Sequence, residues 1–421
     1  LATLSLSITP FKGLMLKSVY GIDNLAIEDI IFQTGLTGDS YATNGYVYNR
    51  FARPKRWTWT NTANYTTTIG ERFNIGLLIG SEQQYTSNNN WNASKTNYND
   101  SFFNDYQGAF VTAGMGGGSR NENYFESLFG RVNFDFDKKY YFELSVRRDG
   151  FSGLSAGHKF GTFGGASIMW NISKEGFMAG LNDYVSDMRV KASYGRVGNM
   201  SGIGSYTSLF LYSSGVYGAV PMWQFTQAGN PDLKWEASDK YDIGLSFGIL
   251  NDRIQADINW YYNDVNDLIL NVPQSPSQGV PSNVVPGNVG SMYNTGFEFS
   301  ITTFNISKPN FTWNTNFNFS TLKNEVTELA PGVNELLGYT SSLELTNRTV
   351  VGLPIGNIWA VETRGVDPAT GRRIFVNKNG DEVLYSHENS NKWTYRSDGT
   401  VAPVISLATD GKAAGSPLPA R

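Results

Sequence analysis

The sequence predicts an all-β fold, an antiparallel transmembrane β-barrel to which it contributes about twelve strands. Three observations lead there. Apolar and polar side chains alternate with a period of two over long stretches. Most of these stretches exceed the roughly 5–6 residues of an ordinary soluble strand. The connections between them alternate strictly between short and long.

The first strand, near 1–9, lies in Leu1–Pro10, which alternates rather than running apolar. The turn Pro10-Phe11-Lys12-Gly13 returns it into a second strand near 14–25. A third and a fourth, near 54–68 and 71–84, meet at Gly70. The fifth and sixth, near 126–137 and 139–149, show the pattern most clearly. Leu128, Val132, Phe134 and Phe136 face one way, and Phe129, Arg131, Asn133 and Asp135 the other. After the hairpin turn Asp137-Lys138-Lys139, Tyr140, Phe142, Leu144 and Val146 oppose Tyr141, Glu143, Ser145 and Arg147.

The seventh and eighth strands, near 161–173 and 186–197, are joined by the somewhat longer 174–185. The ninth, near 238–249, turns at Asn251-Asp252 into a tenth near 253–265. There Ile254, Ala256, Ile258, Trp260 and Tyr262 oppose Arg253, Gln255, Asp257 and Asn259. The eleventh and twelfth, near 291–307 and 310–324, meet at Lys308-Pro309. Phe297, Phe299 and Ile301 turn away from Glu298, Ser300 and Thr302; Phe311, Trp313, Phe317 and Phe319 turn away from Thr312, Asn314, Asn316 and Asn318.

All other connections are long: 26–53, 85–125, 150–160, 198–237, 266–290 and the stretch from 325 onward. An outer-membrane barrel segregates its connections in this way, with tight periplasmic turns and long outer loops. A soluble sandwich has no such reason. Strands of 9 to 15 residues also cover the roughly 9–11 that a tilted membrane strand needs. Tyr140, Trp260, Tyr262, Phe311 and Trp313 fall near strand ends, where interfacial aromatic girdles belong. A large soluble β-protein whose apolar faces pack on a second sheet is the alternative. The wall would occupy 1–324, and 325–421 would be a long outer loop region with a small hairpin, ending before the last strands. Both ends read as cut, as in an internal piece of a longer chain.

Composition excludes several functions. Net charge is −4 from 33 Lys+Arg against 37 Asp+Glu, without the basic excess of a nucleic-acid binder. There is no cysteine, hence no disulfide, thiolate metal site or cysteine nucleophile. His158 and His387 are the only histidines, which leaves little for a catalytic triad or a metal centre. No enzyme activity and no cofactor is expected. No apolar run approaches the roughly 18 residues of a membrane helix.

Segment 125–152 (FESLFGRVNFDFDKKYYFELSVRRDGFS) resembles the mid-barrel hairpin of the SusC/RagA-type TonB-dependent transporters of Bacteroidetes. Further similar runs follow in order at 189–199 (RVKASYGRVGN), 229–249, 253–269, 288–301 and 352–371 (GLPIGNIWAVETRGVDPATG). The resemblance implies a barrel of about 22 strands around an N-terminal plug. It further implies import driven by the TonB–ExbB–ExbD system, a SusD-like surface lipoprotein as lid, and an oligosaccharide or peptide as cargo. The chain departs from the pattern after Arg148-Asp149-Gly150, where Phe151-Ser152-Gly153-Leu154 replaces the usual Ser-Ser-Arg-Phe. Two other readings stay open: a passive outer-membrane channel or adhesin, and a soluble secreted glycan-binding protein.

Two groups of residues are candidates for contact. Arg131, Asn133, Asp135, Glu143 and Arg147, with Arg148 and Asp149 at the outer end, would line the lumen and touch plug or solute; a hydrated interior network is the plainer reading. Trp91, Tyr98, Phe102, Phe103, Tyr106, Tyr212, Tyr217, Trp223 and Phe225 fall in long loops among Asn, Ser and Gly. They suit sugar stacking or docking of the lid, and also plain loop packing. Gly114–Gly118 lacks the Gly-Lys-Ser/Thr ending of a phosphate loop and reads as a loop tip. Asn379-Gly380 suggests a type I′ turn in a hairpin over Arg373–Tyr385. Asp367, Asn377, Asn379 and Asp381 do not have EF-hand spacing and read as turn formers.

Overall fold

In the computed structural model the described residues are 1–402 and 419–420, without 37, 101, 103, 115, 182, 342–343, 378, 387 and 389–391; side chains at 339–345 and 419–420 are also outside the description. Two compact units divide the chain, Leu1–Leu322 and Lys323–Arg421.

The first unit is one antiparallel sheet whose main path runs through twelve strands in chain order. They are β1 (Ala2–Phe11), β2 (Leu14–Asn24), β3 (Tyr46–Ile69), β4 (Phe73–Tyr98), β5 (Gly117–Phe136) and β6 (Tyr140–Phe151). The path continues through β7 (Phe160–Asn171), β8 (Val185–Asn199), β9 (Glu236–Ile249), β10 (Ile254–Pro273), β11 (Val284–Lys308) and β12 (Phe311–Ser320). Each strand pairs with its sequence neighbour, the arrangement of an up-and-down barrel wall. All helical segments among the described residues are short 3₁₀ turns.

The short turns stand where the sequence places them. Asp137 and Lys138 both take positive φ, +54° and +56°, and with Lys139, whose N–H donates to the Phe136 carbonyl at 2.9 Å, they form the three-residue connection from Phe136 to Tyr140. Gly13 takes φ +93° with the Thr66 carbonyl 2.4 Å from where a Cβ would sit, so only glycine fits that turn.

At the opposite ends the strands run much further than the alternation suggests. β3 has 24 residues, β4 26, β5 20, β10 20 and β11 25. The connections expected at 26–53, 85–125 and 266–290 are correspondingly shorter. The cause is that the extensions are polar. Asn88, Asn89 and Asn90 have low strand propensity, but they continue the ladder between β3 and β5 because both neighbours already offer paired backbone. Gly117 and Gly118, expected at a loop tip, open β5 opposite Asn92 and Trp91. Met115 in that tip lies outside the described residues. The connection 200–235 carries its own hairpin, Leu211–Tyr217 against Val220–Gln227.

Register fixes the faces. Ile75, Phe134, Phe142 and Ile168 lie in one transverse row, and Leu77, Val132, Leu144 and Ala166 in the next. Alternate positions give Asn74, Asp135 and Tyr141, then Gly76, Asn133, Glu143 and Ser167. The apolar face is open: Leu128 is 62%, Ile168 58% and Ile243 53% exposed. No second sheet covers it among the described residues.

Aromatic rows bound this face at both ends. At the turn end Phe73, Phe136, Tyr140 and Trp170 follow one another across four strands, with ring centres 4.6, 6.4 and 6.5 Å apart. At the loop end Tyr20, Trp57 and Tyr85 form one group, with Tyr124 edge-on to Trp57, and Tyr194, Tyr241, Tyr262 and Tyr293 form another. Between Tyr124 and Phe136 the strand climbs about 30 Å, at about 3.3 Å per residue and a tilt near 40°.

The second unit contains a three-stranded sheet (Leu336–Ser341, Glu344–Thr349, Asn357–Ile358) and a four-stranded one (Thr363–Val366, Arg373–Val376, Glu382–Tyr385, Trp393–Tyr395). Val383 and Ala402 are fully buried in it, with Ile374, Val376 and Leu384 nearly so. Arg373–Val376 pairs with Glu382–Tyr385, but the turn is not type I′: Gly380 takes φ +86° and Asn379 does not join it. Instead the Asn377 side-chain oxygen accepts from the backbone N–H groups of Asn379 and Asp381, 2.9 Å each.

Candidate functional site

The polar face of β4 to β8 holds the first group of candidate residues, and the structure divides them. Mid-strand, Asn133 lies across Gly76, its Oδ1 2.5 Å from where a Cβ would sit. Asp135 accepts from Asn74 Nδ2 at 3.1 Å and from the Lys138 backbone N–H at 3.3 Å, which ties it to the turn. Arg131 lies opposite Ser145, and Glu143 opposite Asn133. Neither forms an ion pair among the described residues, unlike Arg147 and Asp149.

At the loop end Arg147 and Asp149 come together. Arg147 Nε donates to Asp149 Oδ1, its Nη2 donates to Ser127 Oγ at 2.6 Å, and Ser127 Oγ donates to Asp149 Oδ1. Glu82 approaches Arg147 Nη2 at 3.8 Å. The guanidinium carbon is 5.7 Å and 5.5 Å from the ring centres of Phe125 and Phe129. Asp149 and Ser127 are buried, at 8% and 6% exposure.

Arg148 is not part of this cluster. It pairs with Leu128 on the apolar face, and its guanidinium lies 5.2 Å from the ring centre of Phe160. An arginine beside an aromatic ring at the edge of an apolar band keeps its head in the polar boundary while its stem covers apolar surface.

The aromatic candidates also separate. Trp91 and Tyr98 belong to β4 rather than to a loop. Tyr98 is internally engaged: its hydroxyl accepts from the Gly35 N–H at 3.2 Å and bonds Thr34 Oγ1 at 3.3 Å, and its ring packs on Phe32 and Phe110. Tyr106 lies under Lys95 Nζ, 4.6 Å away. Trp91 is 55% exposed beside Phe51. Tyr212, Tyr217 and Trp223 stand on the 211–227 hairpin, exposed by 61%, 81% and 77%. Phe225 packs on Tyr212, 5.4 Å away. Phe103 and His387 lie outside the described residues. His158, which has no obvious partner in the sequence, bonds Ser155 Oγ through Nδ1 at 3.1 Å.

Three features are not apparent from alternation alone. Ser127 and Glu82 complete the Arg147 cluster; Ser127 follows from counting outward from the Phe136–Tyr140 pair, since Ser127 and Asp149 lie in the same register. Beside that cluster is a small core of Phe151, Leu154, Leu233 and Trp235, packed by Phe125, Phe163, Met200, Ile203 and Ile269. Third, the buried Glu236 accepts from Asn199 Nδ2 at 2.6 Å and from the Ile269 N–H at 2.9 Å, at a bulge in β10. No three His, Cys, Asp or Glu side chains gather as a metal site among the described residues.

Comparison with known proteins agrees with this architecture. Residues 16–401 match the family model described as TonB dependent receptor-like, beta-barrel. TonB-dependent receptor P3 of Formosa agariphila is 33% identical over 316 residues, 73% of this chain and 31% of the relative. TonB-dependent receptor SusC of Bacteroides thetaiotaomicron is 27% identical over 309 residues, 70% of this chain and 29% of the relative. Among solved structures the RagAB peptide transporter superposes with a TM-score of 0.72 at 27% identity, over 95% of this chain and 44% of that one. The chain thus spans about a third of the curated relatives' length and less than half of the RagAB chain.

Proposed function

The chain belongs to the TonB-dependent receptor-like β-barrel family of the outer membrane, and from that premise we propose that it forms part of the wall of an importer taking an oligosaccharide or a peptide across that membrane. A SusD-like surface lipoprotein closes the outer side in this reading, and the TonB–ExbB–ExbD system supplies the energy. Outer-membrane lipid covers the apolar face. The observation that carries the reading is the division of one sheet into an open apolar face bounded by aromatic rows and a polar face bearing Arg131, Glu143 and the Arg147 cluster. In hydrocarbon every backbone group must be paired, so such a sheet is completed by further strands. Among the described residues β1 and β12 each have one unpaired edge on the main path.

The printed description of RagAB supports peptide as a cargo class, and relatedness to SusC supports a two-component importer. The uncharged, exposed 211–227 hairpin gives the lid an aromatic surface of the composition found at protein interfaces.

Deletion of the gene in its native host tests the proposal. The deletion is expected to abolish growth on one glycan or peptide source, and loss of TonB is expected to abolish it equally. A lipoprotein encoded beside the gene should co-purify in mild detergent. Uptake that survives loss of TonB would instead assign a passive channel.

A further inference from the structure

We propose that Arg147 is a positioning residue of the barrel mouth: it fixes a folded ledge of loop segments against the polar face of the wall, so that cargo meets a preformed surface. This rests on the import reading above.

The ledge is built from two connections, 152–159 between β6 and β7 and 200–235 between β8 and β9. Leu154 and Leu233 are fully buried against each other's segments with Phe151 and Trp235, and Met200 and Ile203 pack on them. Ser155 Oγ donates to the Leu233 carbonyl at 3.1 Å, and Trp235 Nε1 donates to the Lys159 carbonyl at 3.0 Å. Asn288 holds the same stretch from β11: its Oδ1 accepts from the Lys234 N–H, and its Nδ2 donates to the Lys234 and Asp267 carbonyls, all within 2.9 Å. Connections joined in this way form one body rather than separate loops.

The ledge meets the wall at Phe125 and Phe163, and Arg147 secures that contact. Phe163 is its cross-strand partner, with the ring 5.4 Å from Trp235. Phe125 lies beside the guanidinium and 6.5 Å from Trp235. Arg147 therefore bridges β5 and β6 through Ser127 and Asp149 while supporting the rings on which the ledge sits. Asp149 is two residues before Phe151, so fixing its carboxylate also fixes the point where the chain leaves β6 to enter the ledge.

A direct cargo contact explains these facts less well. The Nε and Nη2 edges are already committed, and Asp149 with Glu82 leaves the cluster one negative charge in excess, which does not recruit an anionic group. Charge-assisted bonds to a buried carboxylate are also those whose loss is felt most.

Hydrogen exchange on the full-length protein in detergent, comparing wild type with Arg147→Ala and Arg147→Lys, tests the proposal. Arg147→Ala is expected to speed exchange at 152–160 and 228–236 by about tenfold or more, with 140–144 unchanged. Arg147→Lys should fall between, because one ammonium cannot reproduce the fork that reaches both Ser127 and Asp149. Growth rate against concentration of a tryptic casein digest, or of maltoheptaose, should show a raised half-saturation for Arg147→Ala that Trp235→Ala does not raise further. Unchanged exchange in the two loop segments overturns the proposal, as does an additive effect of the two substitutions. If wild type consumes neither probe through TonB, the import reading is what fails, and the exchange comparison still decides the ledge.

Discussion

Arg147 and Arg148 are sequence neighbours that leave β6 on opposite faces. Arg147 lies opposite Phe129 and bonds Ser127 and Asp149, whereas Arg148 lies opposite Leu128 beside the Phe160 ring. The two cations therefore serve different surroundings. Arg148→Ala is expected to leave loop exchange and cargo half-saturation within about twofold of wild type, as for a boundary side chain that contacts the Phe160 ring and has no ion pair among the described residues. A defect as large as that of Arg147→Ala would contradict the assignment of faces.

The same alternation predicts an asymmetric response to new charge. Val132→Arg and Ile168→Lys place a cation on the apolar face and should each cost about 2–4 kcal/mol if they lie near midplane. Ser167→Lys, one position from Ile168 on the polar face and opposite Glu143, should be nearly neutral. Heat-modifiable migration of the full-length protein in gels, with outer-membrane yield, reads the difference.

At the turn end, Glu175 collects Tyr140 Oη, Trp170 Nε1 at 3.1 Å and Lys139 Nζ at 3.1 Å. The Tyr140 hydroxyl, then Trp170 and Lys139, hold its carboxyl below the usual carboxylate range. A depressed pKa means that the ionised form is favoured by folding. The resulting stability is present above the ordinary Glu value of about 4.3 and is lost as pH falls through the lower folded value. Thermal melting followed by tryptophan fluorescence should therefore fall more steeply with acid in wild type than in Glu175→Gln. Parallel curves would remove Glu175 from the account.

In the second unit, Asp367 accepts from Thr370 Oγ1 at 2.6 Å and from Arg396 Nε at 3.2 Å. The Thr370 hydroxyl first, and Arg396 after it, keep its carboxyl below the usual range. Asp367→Asn removes one of the two carboxylates that Arg396 pairs with, Glu382 being the other, and should expose Arg372, Arg373 and Arg396 to trypsin. Cleavage at these sites should quicken several-fold at neutral pH. Equal cleavage at neutral pH would show that this turn does not hold the four-stranded sheet.

The wall was legible because its signal is local and redundant. Every hairpin with a tight turn carries alternation on both strands, and the Asp137-Lys138-Lys139 turn alone sets the register of Phe134 with Phe142 and Val132 with Leu144. The same count pairs Leu128 with Arg148, so the sequence held the placement of Arg148 even though its proximity to Arg147 suggested a shared site. The strand extensions were not legible, since Asn88 to Asn90 pair through neighbouring backbone and not through any preference of their own. The ledge was also hidden, because Leu154 and Leu233 are remote in sequence and meet only where two connections fold together.

Single-cysteine scanning across β6 tests the central claim most directly, and residues 1–421 contribute no cysteine background of their own. Cysteines placed one at a time from Phe142 to Val146 in the full-length protein in outer membranes would be reacted with a membrane-impermeant maleimide and, separately, with a lipid-soluble one. We predict a period of two: Glu143 and Ser145 positions labelled by the polar reagent, and Phe142, Leu144 and Val146 positions only by the lipid-soluble one. Equal labelling of all five by the polar reagent would contradict a membrane-facing sheet.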